Sequence, residues 1–288
     1  MREKLRQQIY DSLPDWLYVP LLFFKINKRF PNLRNPQRWS DKLQWLKLYG
    51  NLEQFALYAD KYTARAYVEE KIGAQYLVPL LGVWDNFDDI PFDDLPKQFV
   101  LKVTHGCGYN YICKDKSTID LPKLKVRITG WQKEDFYKQE RELQYKPCVP
   151  RIICEVYLED SATKDLPDYK IYCAKGQPKV IQVDNDRFVD HRSELLDLSW
   201  KRLDYVRVSN FGEIKNLPKK PKTLPTMLQI ARELSADFPY VRVDLYSIGD
   251  KIYFGELTFT PGSGAVNIRP VSGDVEFGKL IDLAAYTA

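Results

Sequence analysis

The clearest pattern in the chain lies near its end, where two apolar stretches flank a short polar turn. Residues 241–246 and 252–259 are rich in Val, Leu, Ile, Tyr and Phe, and the Gly-containing segment 249–251 separates them. Two such runs joined by a glycine-containing turn are typical of a β-hairpin. Each predicted strand contains one acid, Asp244 in the first and Glu256 in the second. The hairpin therefore places two carboxylates on adjacent antiparallel strands.

Two carboxylates within a mostly apolar hairpin call for either a cation or solvent. Neighbouring buried carboxylates repel one another and are costly to desolvate, so a cation between them makes the arrangement favourable. A few hard oxygen ligands suit Mg²⁺. We therefore interpret Asp244 and Glu256 as a metal platform. The alternative is an exposed sheet face on which both acids point to solvent, which is the usual position of acidic side chains.

A second predicted hairpin spans residues 98–113. Its first strand contains Lys102, and the turn that follows contains His105, Gly106 and Gly108. Glycines allow the backbone N–H groups of a turn to approach an anion closely, and a nearby lysine adds a positive charge for phosphate. The turn lacks the Gly-Lys-Ser/Thr sequence of a P-loop. It is therefore either a phosphate-binding loop or an ordinary turn in which His105 only packs.

Two further segments are predicted to be strands. Residues 150–158 form an apolar run that ends in acidic residues, and 168–183 form another hairpin. The backbone groups of an apolar strand edge can bind an adenine ring. Charged residues gather where these strands end, and most of them are expected to be solvated.

The first 50 residues are predicted to be helical and amphipathic. Aromatic and aliphatic residues such as Trp16 alternate there with basic ones such as Lys25, Lys28 and Arg29. Such a segment can rest on an anionic membrane surface. The favoured alternative is a helix packed on the main body with solvated lysines, because the apolar arc is short.

Composition places the chain among ordinary globular proteins. Its 288 residues are 44% hydrophobic and 28% charged, with a net charge of +4. This length allows one large or two modest domains, and the small net charge gives no electrostatic case for nucleic acid binding. Five cysteines without a Cys-x-x-Cys pair favour a reducing cytoplasm over a disulfide framework or zinc site. The longest apolar run, residues 17–24, is too short to cross a bilayer.

Several of these stretches occur in an order that resembles the ATP-grasp fold. Lys102 and the glycine loop come first, the strand with Glu155 follows, and Arg242, Asp244 and Glu256 come last. In particular, the chain resembles the TupA-like ATP-grasp family, which is associated with teichuronopeptide and other surface-polysaccharide biosynthesis. The resemblance extends over about residues 35–264, in the stretches 35–36, 41–48, 59–62, 99–108, 168–170 and 238–262.

This resemblance implies an α+β protein in which ATP lies between two antiparallel sheets. A helical N-terminal extension over residues 1–60 would precede an ATP-grasp domain over 61–288. Within that domain, the resemblance implies a smaller ATP-binding subdomain at about 95–160, a larger metal-binding sheet at about 161–264 and a C-terminal tail at about 265–288.

The resemblance also implies roles for individual residues. The expected catalytic residues are Arg242, beside the γ-phosphate or an acyl-phosphate, and Lys102. The expected phosphate-binding residues are Lys61, Lys102, His105, Gly106 and Gly108. The expected adenine and ribose contacts are Glu155, Val156, Leu158 and Asp168. The expected Mg²⁺ ligands are Asp244, Glu256 and Thr258, the last at a position where the fold usually has Asn.

The reaction implied by the resemblance is the ATP-dependent joining of a carboxylate to an amine through an acyl-phosphate. The expected partners are a small-molecule or saccharide carboxylate, such as a uronic acid or amino acid, and an amine. A cytoplasmic location with peripheral contact to the inner membrane or the polysaccharide assembly machinery is also expected. Three alternatives stay open: a kinase acting on a sugar hydroxyl, a glycosyltransferase with a Rossmann-type β/α half, and a non-catalytic binding module.

Overall fold

A computed structural model describes residues 12–160, 166–185, 192–208, 212, 214–215 and 217–287. Within those residues, the α-helices are α1 (Asp15–Asn27), α2 (Trp39–Tyr49), α3 (Ala56–Ala59), α4 (Ala64–Ile72), α5 (Leu121–Lys133), α6 (Phe136–Glu140), α7 (Leu224–Ser235) and α8 (Val271–Gly278). The strands are β1 (Leu80–Trp84), β2 (Phe99–Val103), β3 (Asn110–Cys113), β4 (Ile152–Val156), β5 (Asp168–Ala174), β6 (Gln177–Asn185), β7 (Arg192–Leu196), β8 (Arg207–Val208), β9 (Tyr240–Ile248), β10 (Lys251–Thr258) and β11 (Ile268–Arg269).

The smaller of the two main sheets has the strand order β1–β4–β2–β3, with antiparallel neighbours. Alternation along β2 gives it two different faces: Phe99, Leu101 and Val103 are buried, and Lys102 lies on the opposite side. Helix α5 packs against β2. Strand β1 pairs into this sheet although it precedes the predicted start of the smaller subdomain, at about residue 95. The predicted domain boundaries stay predictions.

The larger sheet has the order β10–β9–β5–β6–β7 and is also antiparallel. Its outer hairpin, β9–β10, is the one predicted from the apolar runs, and Glu256 pairs directly with Asp244. The register shifts at Gly255, where a Cβ atom would come within 3.0 Å of the Asp244 carbonyl oxygen. Glycine fits this bulge because it has no Cβ atom to make that contact.

Helix α7 covers one face of the larger sheet. Its buried residues include Met227, Ile230 and Leu234, which are spaced three or four apart and form one stripe. The thiol of Cys173 on β5 lies 3.8 Å from the carbonyl oxygen of Ala231 in this helix. Strand residues alternate between the two faces of a sheet. The polar residues of β5 on the face opposite Cys173 therefore point away from α7 and toward the smaller sheet.

The N-terminal helices pack on this body. Trp39 of α2 is buried, and its Nε1 donates a hydrogen bond of 2.9 Å to the Tyr240 hydroxyl. Helix α1 packs on α2 with Tyr18 and Phe23 buried, as the favoured alternative predicted. Residues 1–11 of the predicted helical segment lie outside the described residues. None of the helices in the described part of the chain combines the length and apolarity needed to cross a bilayer.

The strand pairing tests the alternative of a glycosyltransferase with a Rossmann-type half. A Rossmann-type half requires parallel strands joined through helices. In the described ranges, every strand pair of the three sheets is antiparallel. The architecture predicted for a glycosyltransferase is therefore not the one observed.

Candidate active site

A cavity of about 420 Å³ lies between the two main sheets. This volume is within the usual range of small-molecule sites. Both sheets contribute to its wall, which combines apolar side chains with a few charged ones. The lining residues are Val78, Val100, Lys102, Asn110, Ile112, Lys114, Glu155, Val156, Tyr157, Leu158, Leu166, Asp168, Asp184 and Tyr246.

Five residues predicted to bind ATP line this cavity: Lys102, Glu155, Val156, Leu158 and Asp168. They come from three stretches that are distant in sequence, and strands of both sheets bring them together. The cavity thus has the position expected for a nucleotide between two sheets. The individual contacts of these residues with ATP stay predictions.

Glu155 fixes two cations at one wall of the cavity. Its Oε2 lies 2.5 Å from Lys102 Nζ, and its Oε1 lies 3.2 Å from Arg65 Nη1. Arg65 also donates a hydrogen bond of 3.0 Å to the Val78 carbonyl oxygen. Glu155 is buried, and a buried carboxylate is stable when its charge is paired and hydrogen-bonded. This ion pair holds Lys102 at the cavity.

The glycine loop between β2 and β3 adopts a conformation that depends on its glycines. A Cβ atom at Gly106 would lie 2.8 Å from the rings of Tyr109 and Phe136, and Gly108 has a φ of +81°. The first position excludes a side chain by contact, and the second favours glycine by its backbone angle. Lys61 donates a hydrogen bond from Nζ to the Gly106 carbonyl oxygen, so this lysine lies against the loop. Its predicted contact with phosphate stays a prediction.

His105 is packed beneath the loop. Its ring is buried, its Nε2 lies 2.8 Å from the Glu134 carbonyl oxygen, and its ring centroid lies 5.5 Å from that of Tyr109. It is not among the residues that line the cavity. These contacts match the alternative of a turn-packing histidine, and its predicted contact with ATP stays a prediction.

Arg242 joins the predicted metal ligands into one cluster. Its Nε and Nη2 lie 2.6 Å from the two carboxylate oxygens of Asp244. The same Nη2 lies 3.1 Å from Glu256 Oε1 and 3.1 Å from Thr258 Oγ1. The Thr258 hydroxyl in turn donates a hydrogen bond of 3.0 Å to Glu256. Arg242 therefore contacts all three of the predicted metal ligands on the β9–β10 hairpin.

Lys170 connects this cluster to the cavity. Its Nζ forms an ion pair with Asp168, and it lies 3.2 Å from Asp184 Oδ2 and 3.7 Å from Asp244 Oδ2. Asp168 and Asp184 line the cavity, whereas Asp244 belongs to the hairpin cluster. Burial alone would lower the pKa of Lys170, but the three carboxylates outweigh this effect and raise it. Lys170 is therefore a charged ammonium group within the protein.

Burial and charge move the pKa values of the paired acids in opposite directions. Burial favours the neutral form of Glu256, but the charges of Arg242 and Lys61 outweigh it and lower the pKa to about 2. For Asp244, burial is the largest effect and raises the pKa to about 7, with Arg242 and Lys170 opposing it. Glu256 is therefore the more firmly ionised member of the pair.

The hairpin carries oxygen atoms of the kind that Mg²⁺ binds, and their role as its ligands stays a prediction. Asp244, Glu256 and Thr258 offer hard oxygen atoms on adjacent strands, and a cationic guanidinium group already lies between them. Mg²⁺ usually binds one or two carboxylates and completes its shell with water and substrate phosphates. Across the described ranges, no group of three or more His, Cys, Asp or Glu side chains is arranged to hold a metal. The hydroxyl of Thr258 and the phosphates of a nucleotide would therefore complete the set.

Sequence reasoning missed three charged residues of the site: Arg65, Lys170 and Asp184. Alternation gave a usable signal for one of them, because Lys170 is two residues from Asp168 and shares its strand face. Asp184 lies two residues beyond Gln182, to which it is hydrogen-bonded at 2.8 Å. Arg65 gave no such signal, because it reaches Glu155 from a helix 90 residues away.

The TupA-like ATPgrasp family model matches residues 41–282, which is most of the chain. The protein therefore belongs to the TupA-like ATP-grasp family. This membership confirms the predicted family, the predicted α+β ATP-grasp fold and the predicted class, an ATP-dependent ligase. Among curated proteins, none is significantly similar to this chain in sequence.

The chain is also similar to several solved structures. D-alanine–D-alanine ligase from Bacillus anthracis has 16% identity and a TM-score of 0.48, over 83% of this chain and 73% of the ligase. The ADP complex of purK, N5-carboxyaminoimidazole ribonucleotide synthetase, has 11% identity and a TM-score of 0.43, over 76% of this chain and 50% of the synthetase. The ATP-grasp ligase PsnB with minimal precursor, Mg and ADP has 12% identity and a TM-score of 0.41, over 86% of this chain and 66% of PsnB. Similarity at this level says nothing about substrates or site residues.

Proposed function

We propose that the protein is an ATP-dependent carboxylate–amine ligase of surface-polysaccharide biosynthesis. The observation that supports this most is the connection made by Lys170, which links the cavity between the sheets to the cluster of Arg242, Asp244 and Glu256. A nucleotide-dependent ligase needs a nucleotide pocket next to concentrated positive charge and oxygen ligands. The cavity and the cluster together meet both needs.

In the proposed complex, the nucleotide lies along the cavity between the sheets. Its adenine would lie beside Glu155 and the backbone of Val156 and Leu158, and its ribose would lie at Asp168. The support for this is that all four residues line the cavity.

The phosphates of the nucleotide would lie toward the cations and the glycine loop. Lys102 lines the cavity, and Lys61 lies against the loop residue Gly106. Gly108 leaves the adjoining part of the loop without a side chain. Backbone N–H groups and lysine charges are suitable ligands for phosphate oxygens.

The proposed reaction has two steps. An oxygen of the substrate carboxylate attacks the γ-phosphorus of ATP, and the bond from this phosphorus to the oxygen that bridges the β- and γ-phosphates breaks. ADP departs, and the substrate becomes an acyl-phosphate. The amine nitrogen then attacks the acyl carbon, phosphate leaves, and the nitrogen loses a proton as the amide forms. Each amide bond therefore converts one ATP to ADP and phosphate.

The side chains of this protein contribute charge and position to these steps. Arg242 and Lys102 would stabilise the oxygens that gain negative charge, which is how proteins assist most phosphoryl transfers. A bound Mg²⁺, held by Asp244, Glu256 and Thr258, would add positive charge at the phosphate oxygens. The reaction requires no nucleophilic side chain.

The substrates that we propose follow from the family. Its association with surface polysaccharides suggests that the carboxylate belongs to a uronic acid unit or an amino acid. The acceptor would be an amino acid, another amine or an amino sugar. The identities of the carboxylate and of the acceptor are the most specific part of this proposal.

A trapping experiment tests the ligase reaction directly. The protein is incubated with ATP, Mg²⁺, hydroxylamine and a panel of uronic acids and amino acids, and the products are analysed by mass spectrometry. We expect ADP and an acyl-hydroxamate from at least one carboxylate, because hydroxylamine intercepts an acyl-phosphate. Formation of a phosphorylated sugar without hydroxamate would instead identify a kinase, and no ADP release with any substrate would contradict both reactions.

We further propose that the enzyme works on the cytoplasmic face of a membrane, where ATP is available. Helix α1 buries one face on the protein and exposes another, with Trp16 at 65% and Phe24 at 42% exposure. Phe30, at 58% exposure, stacks on Phe24 with ring centroids 4.7 Å apart. Lys25 and Lys28 are exposed in the same segment. Exposed aromatic residues flanked by lysines suit the interface of an anionic bilayer.

A further inference from the structure

Three buried polar side chains lie beyond the end of β10 and do not line the cavity between the sheets: Glu142, Gln144 and Thr260. Thr260 connects the other two. Its hydroxyl donates a hydrogen bond to Glu142 Oε1 and accepts one of 2.7 Å from Gln144 Nε2. The three side chains are at most 5% exposed, so they form a built site and not a part of the solvated surface.

Thr260 extends the row of side chains that contains the predicted metal ligands. Glu256 and Thr258 lie on β10, and Thr260 follows two residues after Thr258. Phe259, between the two threonines, is buried in the apolar core. Because side chains alternate along a strand, Thr258 and Thr260 lie together on the polar side. The hydrogen bond from Thr260 therefore holds Glu142 beside the hairpin cluster.

The glycine loop borders the same place. Tyr145 packs edge-to-face on Phe136, with ring centroids 5.0 Å apart, and a Cβ atom at Gly106 would lie 2.8 Å from the Phe136 ring. Burial raises the pKa of the Tyr145 hydroxyl, and the charges of Glu142 and Glu256 raise it further, so both carboxylates lie near this tyrosine. Glu142 is therefore close to where, in the proposed complex, the loop and the metal ligands surround the γ-phosphate.

Glu142 is suited to exchange a proton near neutral pH. Burial is the largest effect on its pKa and raises it to about 7. The charges of Glu140 and Glu256 add to this rise. The charge of Lys47 and the hydrogen bond from Thr260 oppose it. A base is most effective when its pKa lies near the working pH, because it is then ionised to a useful extent and still holds a proton well.

Two acceptor atoms of this group receive no hydrogen bond from the residues that the structure describes: Glu142 Oε2 and Gln144 Oε1. Buried polar atoms in proteins are nearly always hydrogen-bonded, so the buried Gln144 Oε1 indicates a donor that a ligand supplies. The acceptor amine of the proposed reaction is such a donor, because an ammonium group has three N–H bonds.

We propose that Glu142 is the catalytic base that takes a proton from the acceptor amine. This assignment rests on the proposed ligase function. Alkyl amines have pKa values of about 10, so at neutral pH they are ammonium ions without the lone pair that attack requires. Gln144 Oε1 accepts a hydrogen bond from the ammonium group and orients it toward Glu142.

The proton transfer makes the nitrogen a nucleophile. One proton passes from the ammonium group to Glu142 Oε2. The freed lone pair then forms the bond to the acyl carbon, the bond from this carbon to the phosphate oxygen breaks, and the nitrogen gives a further proton to the departing phosphate. Glu142 finally returns its proton to water, so the base is regenerated in each cycle.

A comparison of two kinds of nucleophile tests this assignment. Hydroxylamine is already neutral at neutral pH and needs no base, whereas glycine, L-lysine and ethanolamine are protonated. The full chain is incubated with ATP, Mg²⁺, either kind of nucleophile and the carboxylate that gives most hydroxamate with the wild type. By mass spectrometry, we expect Glu142→Gln to lower amide formation at least about 100-fold and to change hydroxamate formation less than about twofold.

Retained hydroxamate formation would also show that Glu142→Gln is folded. Glu70→Gln, at an exposed acid of α4, is the matched control and should leave both products unchanged. Equal loss of amide and hydroxamate in Glu142→Gln would make Glu142 a structural residue and overturn the assignment. Normal amide formation by this variant, or hydroxamate but no amide from the wild type, would also overturn it. No hydroxamate from the wild type would instead contradict the ligase function, and this assignment with it.

Discussion

Glu256 lies directly opposite Asp244 on the β9–β10 hairpin, and one guanidinium nitrogen of Arg242 contacts both carboxylates, at 3.1 Å and 2.6 Å. The bulge at Gly255 lies immediately before Glu256 and sets this pairing. Two acids facing each other on a sheet repel one another, and here a cation lies between them. The hairpin is therefore built to hold positive charge at a fixed place beside the cavity.

We predict that Glu256→Gln abolishes ADP release while the protein stays folded. The substitution keeps the size of the side chain but removes the more firmly ionised carboxylate of the pair. We expect the rate of ADP formation with ATP, Mg²⁺ and the carboxylate substrate to fall at least about 100-fold. The matched control is Glu276→Gln, at an exposed position on α8, which should leave the rate unchanged. Normal turnover by Glu256→Gln would refute the metal assignment.

Lys170→Met is predicted to destabilise the protein. Lys170 is buried among Asp168, Asp184 and Asp244, and its removal leaves their negative charges uncompensated. Removing one partner of a buried ion pair typically lowers the free energy of unfolding by about 3 kcal/mol or more. Urea unfolding measures this difference, with Lys251→Met, an exposed lysine of β10, as the control. A loss no larger than that of the control would mean that the three acids do not depend on Lys170.

Glu142 is predicted to make stability fall as the pH rises toward neutrality. Burial raises its pKa from 4.5 to about 7, although the charge of Lys47 and a hydrogen bond from Thr260 oppose the shift. Between these values the folded state binds the proton more tightly than the unfolded state, so rising pH favours unfolding. Above about pH 7, Glu142 is charged in both states and its cost is constant.

Glu142→Gln removes this titration. We expect its stability relative to the wild type to rise as the pH increases from 5 to 8, in denaturant unfolding at each pH. Glu134→Gln, at an exposed acid, provides the comparison. A stability difference between Glu142→Gln and the wild type that is the same at every pH would show that Glu142 does not titrate in this range.

The outer face of α1 is predicted to bind anionic vesicles. Trp16→Ser/Phe24→Ser removes two exposed aromatic side chains and should weaken binding to phosphatidylglycerol vesicles at least about tenfold in a sedimentation assay. Leu57→Ser/Val126→Ser removes exposed apolar side chains elsewhere and should have no effect. Equal binding by both variants, or equal binding to phosphatidylcholine vesicles, would contradict a specific membrane face.

Local patterns in the sequence were sufficient to predict the hairpins. The alternation and turn residues around Asp244 and Glu256 specified both strands, and the structure confirms their direct pairing. The same is true of the strand with Lys102 and the glycine loop that follows it. These features depend on neighbours within about 20 residues, where periodicity and turn chemistry are informative.

Other parts of the site depend on contacts between distant segments. Lys170 faces Asp244 because β5 pairs with β9 in one particular register, which no local pattern specifies. Glu142 likewise meets Thr260 although 118 residues separate them in sequence. Charged residues at strand ends are usually solvated, so the sequence favoured that interpretation over a buried cluster.

Binding of a non-hydrolysable ATP analogue tests the central claim most directly. Calorimetry should give one nucleotide per chain in the wild type, with tighter binding when Mg²⁺ is present. Lys102→Met should weaken nucleotide binding with or without Mg²⁺, whereas Glu256→Gln should lose the tightening that Mg²⁺ causes. No nucleotide binding by the wild type, or an unchanged Mg²⁺ effect in Glu256→Gln, would contradict an ATP site between the sheets with its metal at Asp244 and Glu256.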